Sequence, residues 1–138
     1  MFAGLQYSCT VAAKPTRESP VVRGGLFPEA ANILIAVEDS IENNWGPVIS
    51  VHVVVAKAGE SDERALKRVC VDAHIPNPKM RVTTLGRLLD AGFSVELDTS
   101  DGQPDSHHNV VFALPPDLEQ AQAFVQCFDD PIPNPAKE

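Results

Sequence analysis

The residues best suited to chemistry in this sequence lie in one short polar stretch, residues 98–108. It contains three aspartates and two adjacent histidines: Asp98, Asp101, Asp105, His107 and His108. Carboxylates and imidazoles together can bind a divalent metal or transfer protons. This stretch therefore supports one hypothesis about function, namely a metal-dependent or hydrolytic enzyme.

The spacing of these residues does not match a known metal-binding loop. An EF-hand loop counted from Asp98 needs an oxygen ligand at its fifth position, which is Gly102. His107 and His108 are neighbours, so on a strand their side chains would point to opposite faces. We therefore predict a solvated hairpin without a metal or cofactor. Its weak candidate ligands are Asp101, Asp105, His107 and His108, and we assign no catalytic residue.

The remaining histidine and cysteine positions favour structural roles. His52 stands alone in an apolar strand pattern, which is typical of a hydrogen-bonded core histidine. Cys9, Cys70 and Cys127 all lie in apolar patterns. An odd number of cysteines without a close pair is a poor disulfide framework, so we expect buried free thiols in a reducing compartment.

The charge balance argues against two classes of partner. The chain has 11 basic and 19 acidic residues, a net charge of −8. Nucleic acids and anionic lipids both attract basic surfaces, so we expect neither as a general partner. Residues 61–92 differ, with six basic and four acidic side chains. Their helix, turn, helix and hairpin outline keeps a winged-helix DNA-binding protein as a further alternative.

The sequence also predicts a location. Residues 1–13 lack a basic segment followed by an apolar run, as a secretory signal would have. No stretch approaches the roughly 20 apolar residues that cross a bilayer. We therefore expect a cytoplasmic protein without membrane contact.

Hydrophobic periodicity predicts alternating strands and helices along the chain. The expected strands cover residues 5–12, 48–57, 93–97 and 107–114. The expected helices cover residues 28–44, 61–73, a short segment beginning at Thr83 or Thr84, and 115–128. Residues 14–26 hold two prolines and two glycines and are expected to form a loop.

Two parts of the sequence resemble each other. A shift of 57 residues aligns 50–78 with 107–135 without a gap, and nine of the 29 pairs are identical. About two identities would arise from random pairing at ordinary composition. Both stretches read as strand, turn, helix and Ile-Pro-Asn-Pro. We therefore predict an internal duplication with pseudo-twofold symmetry.

These patterns predict a single α+β domain over residues 1–128, followed by a proline-rich C-terminal tail, 129–138. The expected sheet has about four mostly antiparallel strands, with helices mainly on one face. Without a catalytic motif, the leading hypothesis is a small acidic, non-enzymatic domain that binds another, possibly basic, protein as an inhibitor, immunity or accessory factor. A homodimer is also compatible with the sequence.

The candidate partner-binding residues come from the two segments that the duplication leaves unmatched, residues 14–26 and 99–107. Charged side chains of these loops are the most accessible to a partner. The candidates are Arg17, Arg23, Asp101, Asp105 and His107.

Overall fold

The computed structural model describes residues 14–137, and the predicted strand 5–12 and Cys9 lie outside them. The described chain is an α+β fold with an open antiparallel sheet in the order β4-β5-β2-β1-β3-β6. Its strands are β1 (Pro20–Gly24), β2 (Val48–Val53), β3 (Lys79–Thr84), β4 (Ser94–Leu97), β5 (His107–Val111) and β6 (Ile132–Pro133). Its helices are α1 (Ala30–Glu42), α2 (Asp62–Asp72), α3 (Leu85–Asp90) and α4 (Leu118–Gln126). None of these helices has the length and apolar character that crossing a membrane requires.

The α+β class is confirmed, but the prediction of about four strands is not, because the sheet formed by the described residues already has six. Residues 14–26 were expected to be a loop, yet they contain β1, which lies between β2 and β3. Proline is tolerated as the first residue of a strand, as Pro20 is here. Val21 and Val22 are fully buried. Two apolar residues between proline and glycine are too few to produce a detectable period.

The sheet has a different core on each face. Val21 and Val22 are consecutive on β1 and belong to separate clusters, because successive strand side chains point to opposite faces. The first core packs α1, α3 and α4 against the sheet and contains Phe124, which is fully buried and contacts four other phenylalanine rings. The second core packs α2 through Ala65, Val69 and Cys70.

Helix α2 leaves part of the second face open. The sheet residues of the second core come from β1, β3 and the residue after β2. On the β2 and β5 side of this face, Ser50 is exposed, and His52 and Asn109 are half-buried. The described residues therefore leave a polar sheet surface beside the α2 core.

Side chains in the connections fix the helix ends. Ser61, Thr84 and Asp117 accept backbone N–H groups at the starts of α2, α3 and α4. At the other end of α4, Arg81 donates from Nε to Asp129 O (2.9 Å) and from Nη2 to Phe128 O (3.0 Å). A guanidinium there satisfies free carbonyls and opposes the helix dipole, so it ties β3 to α4.

The structure does not confirm the predicted duplication. Helices α2 and α4 belong to the two repeats but pack on opposite faces of the sheet, with Cys70 and Cys127 in different cores. A twofold axis relating adjacent antiparallel strands would place both helices on the same face. The similarity of the two stretches is therefore not matched by equivalent packing.

The two Ile-Pro-Asn-Pro segments nevertheless meet. Strand β6, which lies in the segment expected to be a tail, pairs with β3. Asn134 is 1% exposed, and its Nδ2 donates to Ile75 O (3.1 Å) and Asn77 O (2.9 Å). Asn134 thus holds the end of the described chain against the first of these segments.

We expect Asn134→Ala to lower the free energy of unfolding by roughly 1–3 kcal/mol, because it leaves two carbonyls without their donor. Urea denaturation measures this change. Asn43→Ala is the matched control, since the Asn43 amide also donates to a carbonyl but is exposed. Equal losses in the two variants would contradict the structural role of Asn134.

Candidate functional site

A cleft of about 500 Å³ lies where the end of β1, the start of β2 and the β4–β5 connection meet. This volume is in the range of small-molecule binding sites. Most of its lining side chains are polar or charged. The lining residues are Arg23, Ala36, Asp39, Ser40, Trp45, Val48, Ile49, Ser50, Asp98, Ser100, Gln103, His107 and Asn109.

His107 is the central side chain of this site. The residue is 5% exposed, and its ring has Nδ1 2.6 Å from Asp98 O and Nε2 3.1 Å from Ser50 Oγ. A carbonyl oxygen can only accept a hydrogen bond, so Nδ1 carries the proton. In the neutral ring Nε2 is then an acceptor, and the Ser50 hydroxyl donates to it. This is the arrangement in which a histidine can remove a proton from serine.

The pairing of β2 with β5 brings Ser50 and His107 together. Ser50 pairs with Asn109, and His52 pairs with His107. Residues two apart on a strand share a face, so Ser50 lies diagonal to His107 on the open part of the second face. Ser50 itself is exposed. Its hydroxyl can therefore meet a molecule in the cleft while it contacts the buried imidazole.

The carboxylate of Asp98 orders the hairpin around His107. Its Oδ1 accepts from Ser100 N and Oγ, and its Oδ2 accepts from Asn109 Nδ2. These bonds, chiefly those from Ser100, lower the pKa of Asp98, so the carboxylate stays ionised. Oδ2 lies 4.0 Å from His107 Nδ1. The negative charge is therefore close enough to stabilise a protonated His107, although the hydrogen bond goes to the main chain.

Arg23 closes the cleft beside Ser50. Strand β1 pairs with β3 as far as Gly24, but its pairing with β2 ends at Val22 and His52. The Arg23 side chain then replaces a backbone donor, with Nη1 2.7 Å from Ser50 O. Burial lowers the pKa of the Arg23 guanidinium, but arginine remains charged in proteins.

The structure contains a second serine and histidine pair, Ser106 Oγ and His52 Nδ1, at 3.0 Å. Neither of these residues lines the cleft. Burial, with smaller contributions from His107, His108 and Arg23, lowers the pKa of His52 to about 4. A base with such a low pKa is a weak proton acceptor near neutral pH. The Ser50 and His107 pair is therefore the better candidate for proton transfer.

The described cysteines are not nucleophile candidates. Cys70 and Cys127 are free and buried, which confirms the expectation for these two positions. Burial raises the pKa of Cys70 to about 11. It also raises the pKa of Cys127, against a smaller opposing effect of Arg87. Both groups are thiols rather than thiolates near neutral pH, so they contribute packing.

The structure separates the partner-binding residues predicted from sequence. Arg23 and His107 line the same cleft, although they come from different predicted loops. Arg17 lies elsewhere and forms an exposed ion pair with Asp90 at 2.7 Å. Asp105 is exposed in the turn before β5. The Asp101 side chain lies outside the described part of the chain.

The weak metal candidates do not converge in the described residues. No group of three histidine, cysteine, aspartate or glutamate side chains there is placed to hold a metal ion. Both ring nitrogens of His107 have hydrogen-bond partners, and Nδ1 of His108 contacts Ser106 O. The assignment of ligand or partner roles to these side chains stays a prediction.

Sequence reasoning missed several residues of the cleft. Ser50 is one serine within a β-branched run, and Ser40 and Asp39 belong to a helix pattern. Only the register of β2 against β5 identifies Ser50 as the neighbour of His107. Trp45 was detectable from the sequence, because a large aromatic residue in a turn is an interaction candidate. In the structure its side chain lines the cleft and the residue is 71% exposed.

Comparison of the chain with protein families, with curated proteins and with solved structures finds no match.

His52 should make stability depend on pH. Its pKa is about 4 in the folded protein and near 6.5 in an unfolded chain. Between these values the unfolded chain binds the extra proton, so folding becomes less favourable as pH falls from 6.5 to 4. We expect His52 to account for a loss of stability on the order of 2 kcal/mol over this range, a figure that already allows for its partial solvent exposure.

Urea denaturation of the protein and of His52→Gln, measured from pH 7 to pH 4.5, tests this expectation. The variant should lose less stability than the parent protein over this range. His74→Gln is the control, because His74 is exposed. The same pH slope in the parent protein and in His52→Gln would show that burial of His52 does not carry the effect.

Proposed function

We propose that the protein is a hydrolase that cleaves esters or related acyl compounds, with Ser50 as nucleophile and His107 as general base. The observation that carries this proposal is the hydrogen-bonded series from Ser50 Oγ to His107 Nε2 and from His107 Nδ1 to Asp98 O, in the wall of the cleft. A nucleophile bonded to a base that is itself oriented by a third group is typical of acyl transfer.

The proposed reaction has two halves. Ser50 Oγ attacks the acyl carbon while its proton moves to His107 Nε2, and a tetrahedral intermediate forms. Its collapse breaks the bond to the leaving group, which receives the proton from His107. Water then attacks the acyl-Ser50 ester and gives a proton to His107. The second collapse releases the acid, and His107 returns this proton to Ser50 Oγ.

The environment of His107 supports the role of base. The ring cannot rotate freely, because it is buried and bonded at both nitrogens. When His107 becomes positive, the carbonyl and the carboxylate of Asp98 both face that charge. Asp98 is therefore a positioning residue in this proposal, with its main-chain oxygen in the place that a carboxylate occupies in a serine–histidine–aspartate triad.

We expect Ser50→Ala to reduce kcat/KM for a p-nitrophenyl ester by at least about a hundredfold, because it removes the nucleophile. His107→Gln should have a similar effect. A fluorophosphonate probe followed by mass spectrometry should label Ser50 in the parent protein and leave Ser50→Ala unlabelled.

Ser106→Ala is the matched control, since Ser106 is the other serine hydroxyl bonded to a histidine ring among the described residues. It should keep its ester hydrolysis and its labelling by the probe. Label on Ser106 instead of Ser50, or the same hydrolysis rate in Ser50→Ala and the parent protein, would reject the proposed nucleophile.

A second proposal keeps the expectation from sequence, a domain that binds a basic protein. The observation that favours it is Trp45, which is 71% exposed beside the cleft in a chain of net charge −8. Tryptophan is enriched among the residues that dominate binding energy at protein interfaces. In this proposal the protein is not an enzyme, and Trp45 is the centre of its contact surface. The winged-helix alternative stays a prediction, because no feature of the described residues favours it.

We expect Trp45→Ala to lower affinity for such a partner by roughly tenfold or more. The measurement is recovery of partners from extracts of the native host at low and physiological salt, followed by titration of the recovered protein. Leu114→Ala is the control, because Leu114 has nearly the same exposure, 69%, but does not line the cleft. Equal binding by both variants and the parent protein would exclude Trp45 as the contact.

A further inference from the structure

We propose that the compound hydrolysed at Ser50 carries a carboxylate in its acyl part, and that Arg23 and Ser40 bind this group. The inference rests on the proposed hydrolase function and adds the chemical class of its substrate. It begins from two polar side-chain atoms in the cleft that form no hydrogen bond within the described residues.

Two buried side-chain atoms among the described residues lack a hydrogen-bond partner: Arg23 Nε and Ser40 Oγ. Both residues line the cleft, and Ser40 is only 6% exposed. A buried polar group without a partner costs stability, so a native protein seldom keeps one without a role. The occurrence of both groups in one cleft indicates that they bind a ligand.

The chemistry of these groups selects an anion. Arg23 offers N–H donors and a permanent positive charge, and a serine hydroxyl can donate as well. A carboxylate accepts from both kinds of donor, and its bonds to a guanidinium are among the stronger ones in proteins. No described carboxylate forms an ion pair with Arg23.

The position of Arg23 indicates which part of the substrate carries the anionic group. Its Nη1 donates to Ser50 O, so the guanidinium lies against the residue that carries the nucleophile. The bond is to the main chain, but Arg23 and Ser50 line the same cleft, so an acyl group bound at Ser50 can extend to the guanidinium. This places the carboxylate on the acyl part of the substrate, as in a monoester of a short dicarboxylic acid.

The cleft also contains two aspartates, whose negative charges have to be weighed against the proposed binding of an anion. Both oxygens of Asp98 are occupied by Ser100 and Asn109. Asp39 lines the cleft from α1, and its charge opposes an anionic substrate. Replacing Asp39 with asparagine should therefore increase the preference for an anionic ester, opposite to the effect of replacing Arg23.

Three esters with matched acyl lengths test the proposal: p-nitrophenyl adipate, which keeps one free carboxylate, p-nitrophenyl hexanoate, which is neutral, and the ester of ε-aminohexanoate, which is cationic. We expect kcat/KM to be highest for the adipate ester, by roughly tenfold over the hexanoate ester. Arg23→Gln should lower this ratio by roughly tenfold, to about one, because it removes the charge that gives the preference. Arg23→Lys, which keeps the charge but loses the planar fork, should lower it less.

Ser40→Ala separates ligand binding from a structural role. Its hydroxyl has no described partner, so removing it should leave the Tm of the free protein unchanged or higher, while the adipate-to-hexanoate ratio falls several-fold. A lower Tm with an unchanged ratio would show that Ser40 is structural. A preference for the cationic ester, or ratios unaffected by both Arg23→Gln and Ser40→Ala, would overturn the proposal.

Binding without catalysis distinguishes this proposal from the hydrolase proposal. Ser50→Ala protein should bind monomethyl adipate more tightly than dimethyl adipate by calorimetry, and the added change Arg23→Gln should remove the difference. If this holds but no ester is hydrolysed, the anion site stands and the hydrolase proposal fails. Hydrolysis that depends on Ser50 without any carboxylate preference gives the opposite result, in which the hydrolase stands and the anion site is rejected.

Discussion

Strand β1 pairs with β3 along its whole length but with β2 along only part of it, and the cleft results from this difference. It pairs with β3 through Gly24 but separates from β2 after Val22 and His52. The carbonyl of Ser50 then needs a donor other than the β1 backbone, and Arg23 Nη1 supplies it. The same bond holds a guanidinium beside Ser50 and fixes one wall of the cleft. The separation of two strands thus creates both the space and the charge of the candidate site.

The unequal covering of the sheet explains how the hydrogen-bonded pair of Ser50 and His107 can lie at a cleft. Three helices fill the first face with an apolar core, whereas α2 occupies only part of the second. Polar side chains on β2 and β5 remain on the part that residues 14–137 leave uncovered, where Ser50 is exposed. His107 is buried there by the hairpin and satisfied at both ring nitrogens. A helix packed on this region would have buried these polar groups and excluded a ligand.

The sequence predicted the helices better than the strands, for a physical reason. Helices α1, α2 and α4 have apolar residues at helical spacing, and Ser61 and Asp117 cap α2 and α4 through their own side chains. These are local features. Strands β1, β3 and β6 lack such features, because short strands form only when a neighbour supplies hydrogen bonds. The expected number of strands was too low for this reason.

The sequence by itself determined the α+β class, the main helices, the acidic charge and the concentration of aspartate and histidine in residues 98–108. Each of these follows from composition or from neighbours along the chain. Tertiary structure alone decided that His107 contacts Ser50, which lies 57 residues away, and that Arg23 binds the Ser50 carbonyl. It also decided that the two similar stretches pack on different faces. The strand register and the division of the cores control these contacts, and neither can be read from local spacing.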